Sequence, residues 1–267
     1  MDLLHAAILG IIQGLTEFLP VSSSGHLEIV KTILGEDKIG KESMLMTVVL
    51  HFATALSTII IFKRDIANIL MGVFRKNKNS YKNNSFNYFI KIILSMIPAV
   101  LVGFFLSNEI ESLFNGNLII VGSMLICTAL LLYMTDRCEK KEKDINNTTA
   151  LLIGIAQAVA ILPGISRSGA TISMAVFLGV EKESAAKFSF LMVVPLIFGK
   201  MLQDILSAEI DLYFAEIQSL IVGFIFALIT GLIACKWMIS IVKKSKLTYF
   251  ACYCFFVGSI AISYSIL

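Results

Sequence analysis

Glu17 and His26 flank the polar run Pro20-Val-Ser-Ser-Ser-Gly-His26, and a second run, Pro163-Gly-Ile-Ser-Arg-Ser-Gly-Ala-Thr171, sets Arg167 among Ser166, Ser168 and Thr171. A carboxylate, an imidazole, several hydroxyls and a guanidinium are the groups that phosphoryl transfer uses. They supply a base, a nucleophile, a proton carrier and a cation for the phosphate oxygens. Gln13 and Glu17 are four residues apart, so they share a helix face that ends at the first run. Both runs are flanked by strongly apolar sequence. An Arg in the middle of a lipid-embedded helix costs roughly 2.5–3.5 kcal/mol on insertion scales, so Arg167 must answer to a partner, a cavity or a ligand.

The surrounding composition explains why such runs stand out. The chain has 267 residues, 57% of them hydrophobic and 15% charged, with a mean hydropathy of +0.84. That balance excludes an ordinary soluble domain and predicts an all-α polytopic membrane protein. The net charge of +3 is spread over loops, so no basic block suggests a nucleic-acid partner. The start, Met-Asp-Leu-Leu-His5, lacks a basic n-region and reads as retained, not as a cleaved signal. Cys127, Cys138, Cys235, Cys252 and Cys254 lie mostly in apolar spans without CxxC spacing, which predicts apolar filler instead of a disulfide framework or zinc site.

A helix needs about 20 apolar residues to cross the hydrocarbon core, and stretches near 44–63, 88–106, 117–135, 187–206, 218–240 and 248–266 meet that length. Residues 2–19 and 149–162 instead run into a proline and a Ser/Gly turn, and 26–35 and 170–180 are too short to cross. These pairs of half-helices are predicted to be re-entrant hairpins. A shift of 144 residues aligns Gly10-Ile11 with Gly154-Ile155, Gln13 with Gln157, Ser22 with Ser166, Ser24-Gly25 with Ser168-Gly169, and Leu34-Gly35 with Leu178-Gly179. The expectation is one membrane domain over 1–267, built as an inverted repeat. Repeat one is 1–135, a cytoplasmic linker is 136–148 and repeat two is 149–267, each half being one re-entrant hairpin plus three transmembrane helices. With that topology 17 of the 22 Lys and Arg residues fall on one side, which should be cytoplasmic. The opposite side carries the acidic segment with Glu209, Asp211 and Glu216, and both termini.

Turns followed at once by short helices direct unpaired N–H groups toward a common centre, where the helix dipoles favour anions. Ser22, Ser23, Ser24, Ser166, Ser168 and Thr171 add hydroxyls, Gly25 and Gly169 permit close approach, and Arg167 supplies a fork suited to phosphate oxygens. The first half brings Glu17 and His26, the second brings the cation. Elsewhere, His51 reads as a hydrogen-bonded interior histidine or, alternatively, as one that lines the site, Glu28 and Lys31 as solvated or mutually paired, and Trp237 as an interface anchor. The Lys/Asn-rich segment 75–87 reads as a solvated connection.

At Gln13-Gly-Leu-Thr-Glu-Phe-Leu-Pro-Val-Ser-Ser-Ser-Gly-His26 and Pro163-Gly-Ile-Ser-Arg-Ser-Gly-Ala-Thr-Ile172 the chain resembles the undecaprenyl pyrophosphate phosphatases, also called bacitracin resistance proteins. The resemblance covers essentially the whole chain. It implies hydrolysis of a polyprenyl diphosphate to the monophosphate and phosphate in the bacterial cytoplasmic membrane, recycling the lipid carrier of cell-wall synthesis, with the site opening to the outer face. It further implies catalytic roles for Glu17, His26, Ser23 and Arg167, phosphate binding by Ser166, Ser168 and Thr171, and a divalent cation, Mg2+ or Ca2+, near Glu17. Family members carry Glu or Gln at the position of Gln13, so a two-carboxylate metal site is in doubt here, although Gln13 can support a weaker one. Ser23 activated by Glu17, or alternatively His26, is the expected nucleophile. Association as a homodimer is compatible with such a chain. A different class also stays open, a carrier or flippase of polyprenyl phosphate or a small anion in which Glu17 and His26 form a proton relay.

Overall fold

The computed structural model describes residues 2–35, 41–74, 80–106, 109–110, 113, 117–138, 142–207, 214–243 and 247–266. Within them the architecture is all-helical. A first helix–turn–helix pair, α1 (Leu3–Phe18) and α2 (Ser23–Leu34), leads into α3 (Lys41–Ile61), α4 (Lys63–Phe74), α5 (Ser80–Phe105) and α6 (Leu118–Asp136). A second pair, α7 (Asn147–Val159) and α8 (Arg167–Phe177), leads into α9 (Lys182–Ser207), α10 (Phe214–Lys243) and α11 (Thr248–Ile266).

Among the described residues, four helices hold stretches long and apolar enough to cross a membrane: Ser85–Phe105, Leu118–Asp136, Ile217–Val242 and Thr248–Ile266. A fifth arises if Leu45–Ile61 and Lys63–Val73, bent by 80° from each other, count as one span. The bend falls where Lys63, Arg64 and Asp65 end the apolar run, so charge at the helix end turns the chain aside. Of the expected spans, 88–106, 117–135, 218–240 and 248–266 lie in the four helices, 44–63 is α3 with the start of α4, and 187–206 lies within α9. Lys182, Glu183 and Lys187 crowd the first turns of α9. Between the expected spans 44–63 and 88–106 lie α4 and the first turns of α5, because residues 66–74 keep an apolar stripe despite the charges around them. Residues 75–79 of the Lys/Asn-rich segment, and Glu209 and Asp211, lie outside the described residues. Tyr249, Phe255, Phe256 and Tyr264 on α11, and Phe104 and Phe105 on α5, are exposed on the outside of the bundle. Apolar faces of that size on a chain with these helices belong against lipid, and the protein is a multi-pass membrane protein.

Packing between helices relies on small residues, as it must where lipid removes the hydrophobic incentive to associate. α1 lies along α10, α5 along α7, and α6 along α11. A Cβ added to Gly122 would sit 2.6 Å from the Gly258 carbonyl oxygen, and one added to Gly258 would sit 2.6 Å from that of Gly122. At one end of the bundle Asp136 joins three helices. Its Oδ1 accepts from Lys182 Nζ at 2.7 Å, and its Oδ2 accepts from the Thr248 backbone N–H at 2.7 Å and its hydroxyl at 2.8 Å. Lys187 on α9 likewise reaches Asp65 on α4 at 2.6 Å. Lys31, expected to be solvated or paired with Glu28, lies within electrostatic reach of Glu28 and also donates to Thr47 Oγ1 at 3.0 Å, which ties α2 to α3.

The two turns that start α2 and α8 are built alike. Ser22 caps α2 by accepting from Gly25 N at 3.2 Å, and Ser166 caps α8 by accepting from Gly169 N at 3.0 Å. The second serine of each turn stands 3.3 Å from the first, Ser24 from Ser22 and Ser168 from Ser166. The turns also touch one another. Ser22 donates to the Ile165 carbonyl and Ser168 to the Leu19 carbonyl, each at 3.3 Å. Gly164 has φ +96°, and a Cβ there would come within 2.4 Å of the Val121 carbonyl oxygen. Gly164→Ala is therefore expected to destabilise the protein by about 2–4 kcal/mol through left-handed backbone strain and overpacking against α6. A lowered thermal unfolding midpoint in detergent checks this.

Candidate active site

The last turn of α1 carries Glu17, whose side chain is buried, and the adjoining turns place two elements against it. Ser23, the first residue of α2, donates its hydroxyl to Glu17 Oε2 at 2.6 Å. Gln13, one helical turn back, donates Nε2 to the same oxygen at 3.0 Å. Arg167, the first residue of α8, pairs through Nη2 with Oε1. The carboxylate thus holds the Ser23 hydroxyl with one oxygen and the guanidinium with the other. The Glu17 side chain is 4% exposed and that of Arg167 22%, so the ion pair is sealed on the acid side and open on the guanidinium side.

Two polar atoms in this cluster have no partner among the described residues. Arg167 Nη1 and Gln13 Oε1 are both buried without a hydrogen bond. A buried unsatisfied group of this kind costs about 1–3 kcal/mol, more when charged. The cap bonds account for Gly25 N and Gly169 N, which leaves the N–H groups of Ser23, Ser24, Arg167 and Ser168 without acceptors inside their own helices. Two positive helix ends and a guanidinium with a spare donor are an anion receptor.

The other expected residues are placed as follows. Ser22, Ser24, Gly25, Ser166, Ser168 and Gly169 shape the two turns through the bonds already described. His26, one turn along α2, donates Nδ1–H to the Ser22 carbonyl at 2.8 Å, and its Nε2 accepts from the Tyr253 hydroxyl at 2.8 Å. The two rings stack at 7°. Thr171 faces α9: its hydroxyl lies 2.7 Å from Ser189 Oγ and 2.8 Å from the Arg167 carbonyl. Gly164 and Ser166 are fixed from α6 by Thr128, whose hydroxyl donates to the Gly164 carbonyl and accepts from Ser166 N. His51, read from sequence as an interior histidine, does donate Nδ1–H to the Thr47 carbonyl at 2.8 Å, but its Nε2 also stands 3.9 Å from Glu17 Oε2. Tyr253 and Thr128 were not anticipated, because each reaches the site from a different apolar span and nothing in the local pattern marks it.

The model of the bacitracin resistance protein BacA family matches residues 6–260. The chain belongs to that family. An undecaprenyl-diphosphatase of Christiangramia forsetii is 54% identical over 265 residues, covering 99% of both chains. One from Bacteroides fragilis is 47% identical over 266 residues, covering 98% of each, and one from Methanobrevibacter smithii is 35% identical over 278 residues, covering 100% of this chain and 99% of that relative. Both polar turns lie inside the matched region.

The buried ion pair sets a clear expectation for stability in this family member. Glu17→Leu or Arg167→Leu alone strands the opposite charge and should cost about 3–5 kcal/mol, whereas the double substitution should cost much less than the two single losses together. Thermal unfolding of the three variants in one detergent measures the coupling.

Proposed function

We propose that this chain hydrolyses undecaprenyl diphosphate to undecaprenyl phosphate and inorganic phosphate, the reaction its relatives are named for over nearly their whole length. The observation that carries this reading onto particular atoms is the unpartnered Nη1 of Arg167, buried beside a carboxylate that already holds the Ser23 hydroxyl. The terminal phosphate is received by Nη1 and by the free N–H groups at the starts of α2 and α8, which neutralise its oxygens in a dry setting. Ser23 Oγ then attacks phosphorus in line, and its proton passes to Glu17 Oε2. The lipid monophosphate leaves, and water releases phosphate from the serine. Ser23 is preferred to His26 as nucleophile because Ser23 is bonded to the base, whereas both nitrogens of His26 are engaged by Ser22 and Tyr253. When Tyr253 yields, Nε2 is free to assist proton transfer.

A divalent cation of the Mg2+ or Ca2+ class fits this donor set through Gln13 Oε1, the acceptor left without a partner, together with the Glu17 carboxylate. Bound there, it would add charge neutralisation on the phosphate oxygens. Such ions are commonly held by one or two carboxylates plus substrate phosphate, so a single Glu suffices.

The α1–α2 and α7–α8 pairs are read as re-entrant hairpins of an inverted repeat, with halves 1–135 and 149–267 joined by 136–148. Three observations support this. The two turns carry the same cap bonds at positions 144 apart, Ser22 with Gly25 and Ser166 with Gly169. The packing partners exchange between halves, α1 with α10 and α7 with α5. And α6 pairs with α11, the last helix of one half against the last of the other. The excess of Lys and Arg on one side supports a cytoplasmic orientation for that side in the bacterial membrane, with the site open to the outer face and the prenyl chain staying in lipid.

Phosphate release from farnesyl or undecaprenyl diphosphate by the purified protein in detergent tests the reading. Arg167→Ala and Ser23→Ala should lose about 10³-fold or more in kcat, while Gln13→Ala should only weaken turnover. EDTA should lower the rate and added Mg2+ or Ca2+ restore it. Wild-type protein that releases no phosphate, yet moves prenyl phosphate between leaflets of a vesicle, would be a carrier instead.

A further inference from the structure

A tyrosine on the lipid side of a helix ordinarily turns its hydroxyl toward water or headgroups. Tyr253 on α11 does the reverse. It is 45% exposed on the outside of the bundle, yet its hydroxyl reaches inward to His26, which is 8% exposed, and donates to Nε2 at 2.8 Å. The two rings lie nearly parallel, at 7° with centroids 5.5 Å apart. On the other side of the imidazole, Nδ1 is 2.8 Å from the Ser22 carbonyl oxygen, which can only accept, so Nδ1 bears the hydrogen. The bond at one ring nitrogen sets the state of the other, and a bare Nε2 calls for a donor. The phenol supplies it. Tyr253 is itself held in register from both directions along α11. Before it, Thr248 at the start of the helix bonds to the Asp136 carboxylate through its N–H and its hydroxyl. Beside it, the buried Cys254 sets its Sγ 3.8 Å from the Pro20 carbonyl oxygen, and beyond it Gly258 meets Gly122 of α6.

We propose that Tyr253 is a positioning residue for His26: from α11 it holds the imidazole in the Nδ1–H form and in one orientation, with Nε2 as the nitrogen that accepts. The inference rests on the part given to His26 in proton transfer above. The Ser22 carbonyl fixes one nitrogen only. A buried Nε2 without a donor would be an unsatisfied acceptor, and the ring would relieve that by turning or by moving its hydrogen from one nitrogen to the other. Either change displaces the nitrogen that is to take up a proton. With the phenol in place, both nitrogens are bound along one line that runs from Ser22 through the imidazole to α11. Ser22 is also the cap of α2 and the neighbour of Ser23, whose hydroxyl is held by Glu17. The accepting nitrogen and the attacking hydroxyl are therefore referred to the same stretch of backbone. Such a role needs the Tyr253 hydroxyl and not only its ring, and since much of the residue is open to the bilayer, removing that one atom leaves the packing of the helices as it is.

The test uses the full-length protein in detergent with undecaprenyl diphosphate. Tyr253→Phe keeps the ring and removes the donor, and should lower kcat by about 10-fold with KM within about twofold of wild type. In a His26→Ala background the same substitution should change kcat by less than about twofold, because the hydroxyl acts only through the imidazole. A second measurement does not depend on turnover. The chain has three histidines, so nitrogen-15 spectra of histidine-labelled protein can resolve the His26 ring. Wild type should show it neutral with its hydrogen on Nδ1, and Tyr253→Phe should shift the Nε2 resonance. Wild-type kcat in Tyr253→Phe overturns the proposal. So does a loss of equal size in the His26→Ala background, a His26 spectrum that Tyr253→Phe leaves unchanged, or a wild-type ring that carries its hydrogen on Nε2. His26→Ala alone separates the two levels: if it is fully active, the part given to His26 falls and this inference with it, while the reading of Ser23 and Glu17 stands. If it is inactive and Tyr253→Phe is not impaired, only the role of Tyr253 falls.

Discussion

The ion pair between Glu17 and Arg167 is the constraint from which the rest follows. It joins the last turn of α1 to the first residue of α8, 150 positions along the chain, in surroundings where an uncompensated charge would cost several kcal/mol. Neither partner can leave without stranding the other, so the two turns are held face to face. With them come the Ser23 hydroxyl and the spare donor of the guanidinium. A pairing that secures the fold thereby also holds a carboxylate, a hydroxyl and a guanidinium against one another.

The two turns bear this pairing because they share a design. In each, a serine caps the helix, a second serine bonds the first, and a glycine three residues after the cap gives up its N–H. The turns interlock through Ser22 on Ile165 and Ser168 on Leu19, so neither depends on its own helix alone. Ser22 sits at φ +69°, a conformation that a serine adopts only when its surroundings compel it. The strain lies one residue from the Ser23 hydroxyl. Behind the turns, helices approach closely through glycine, which leaves little slack for the site to drift.

Much of this was legible in the chain because the chemistry violates its context. Serines, a histidine and an arginine in the midst of apolar sequence announce themselves, and the shift of 144 residues relates the two turns before any coordinates are seen. The cap bonds of Ser22 and Ser166 follow from their places before short helices. His51 and Tyr253 were less visible for a physical reason. Each lies at apolar helical spacing in a long helix, and which face of that helix meets Glu17 or His26 is decided by packing between distant segments, not by neighbours in sequence. The orientation of the Thr171 hydroxyl toward Ser189 is of the same kind. The bend between α3 and α4 was hidden too, since a cluster of charges reads equally well as a loop or as a helix that turns away from the bilayer.

Gln13 carries a consequence for ligand chemistry. Its amide nitrogen is committed to Glu17, so its carbonyl is fixed in direction, shielded from water and unanswered. In the metal-free protein, a phosphonate or other anionic mimic that sets an N–H or O–H opposite that oxygen would gain a bond without first displacing a partner. A relative with a carboxylate at this position would present a formal charge to the same compound. Gln13 is thus the natural foothold for inhibitors that discriminate among members of this family.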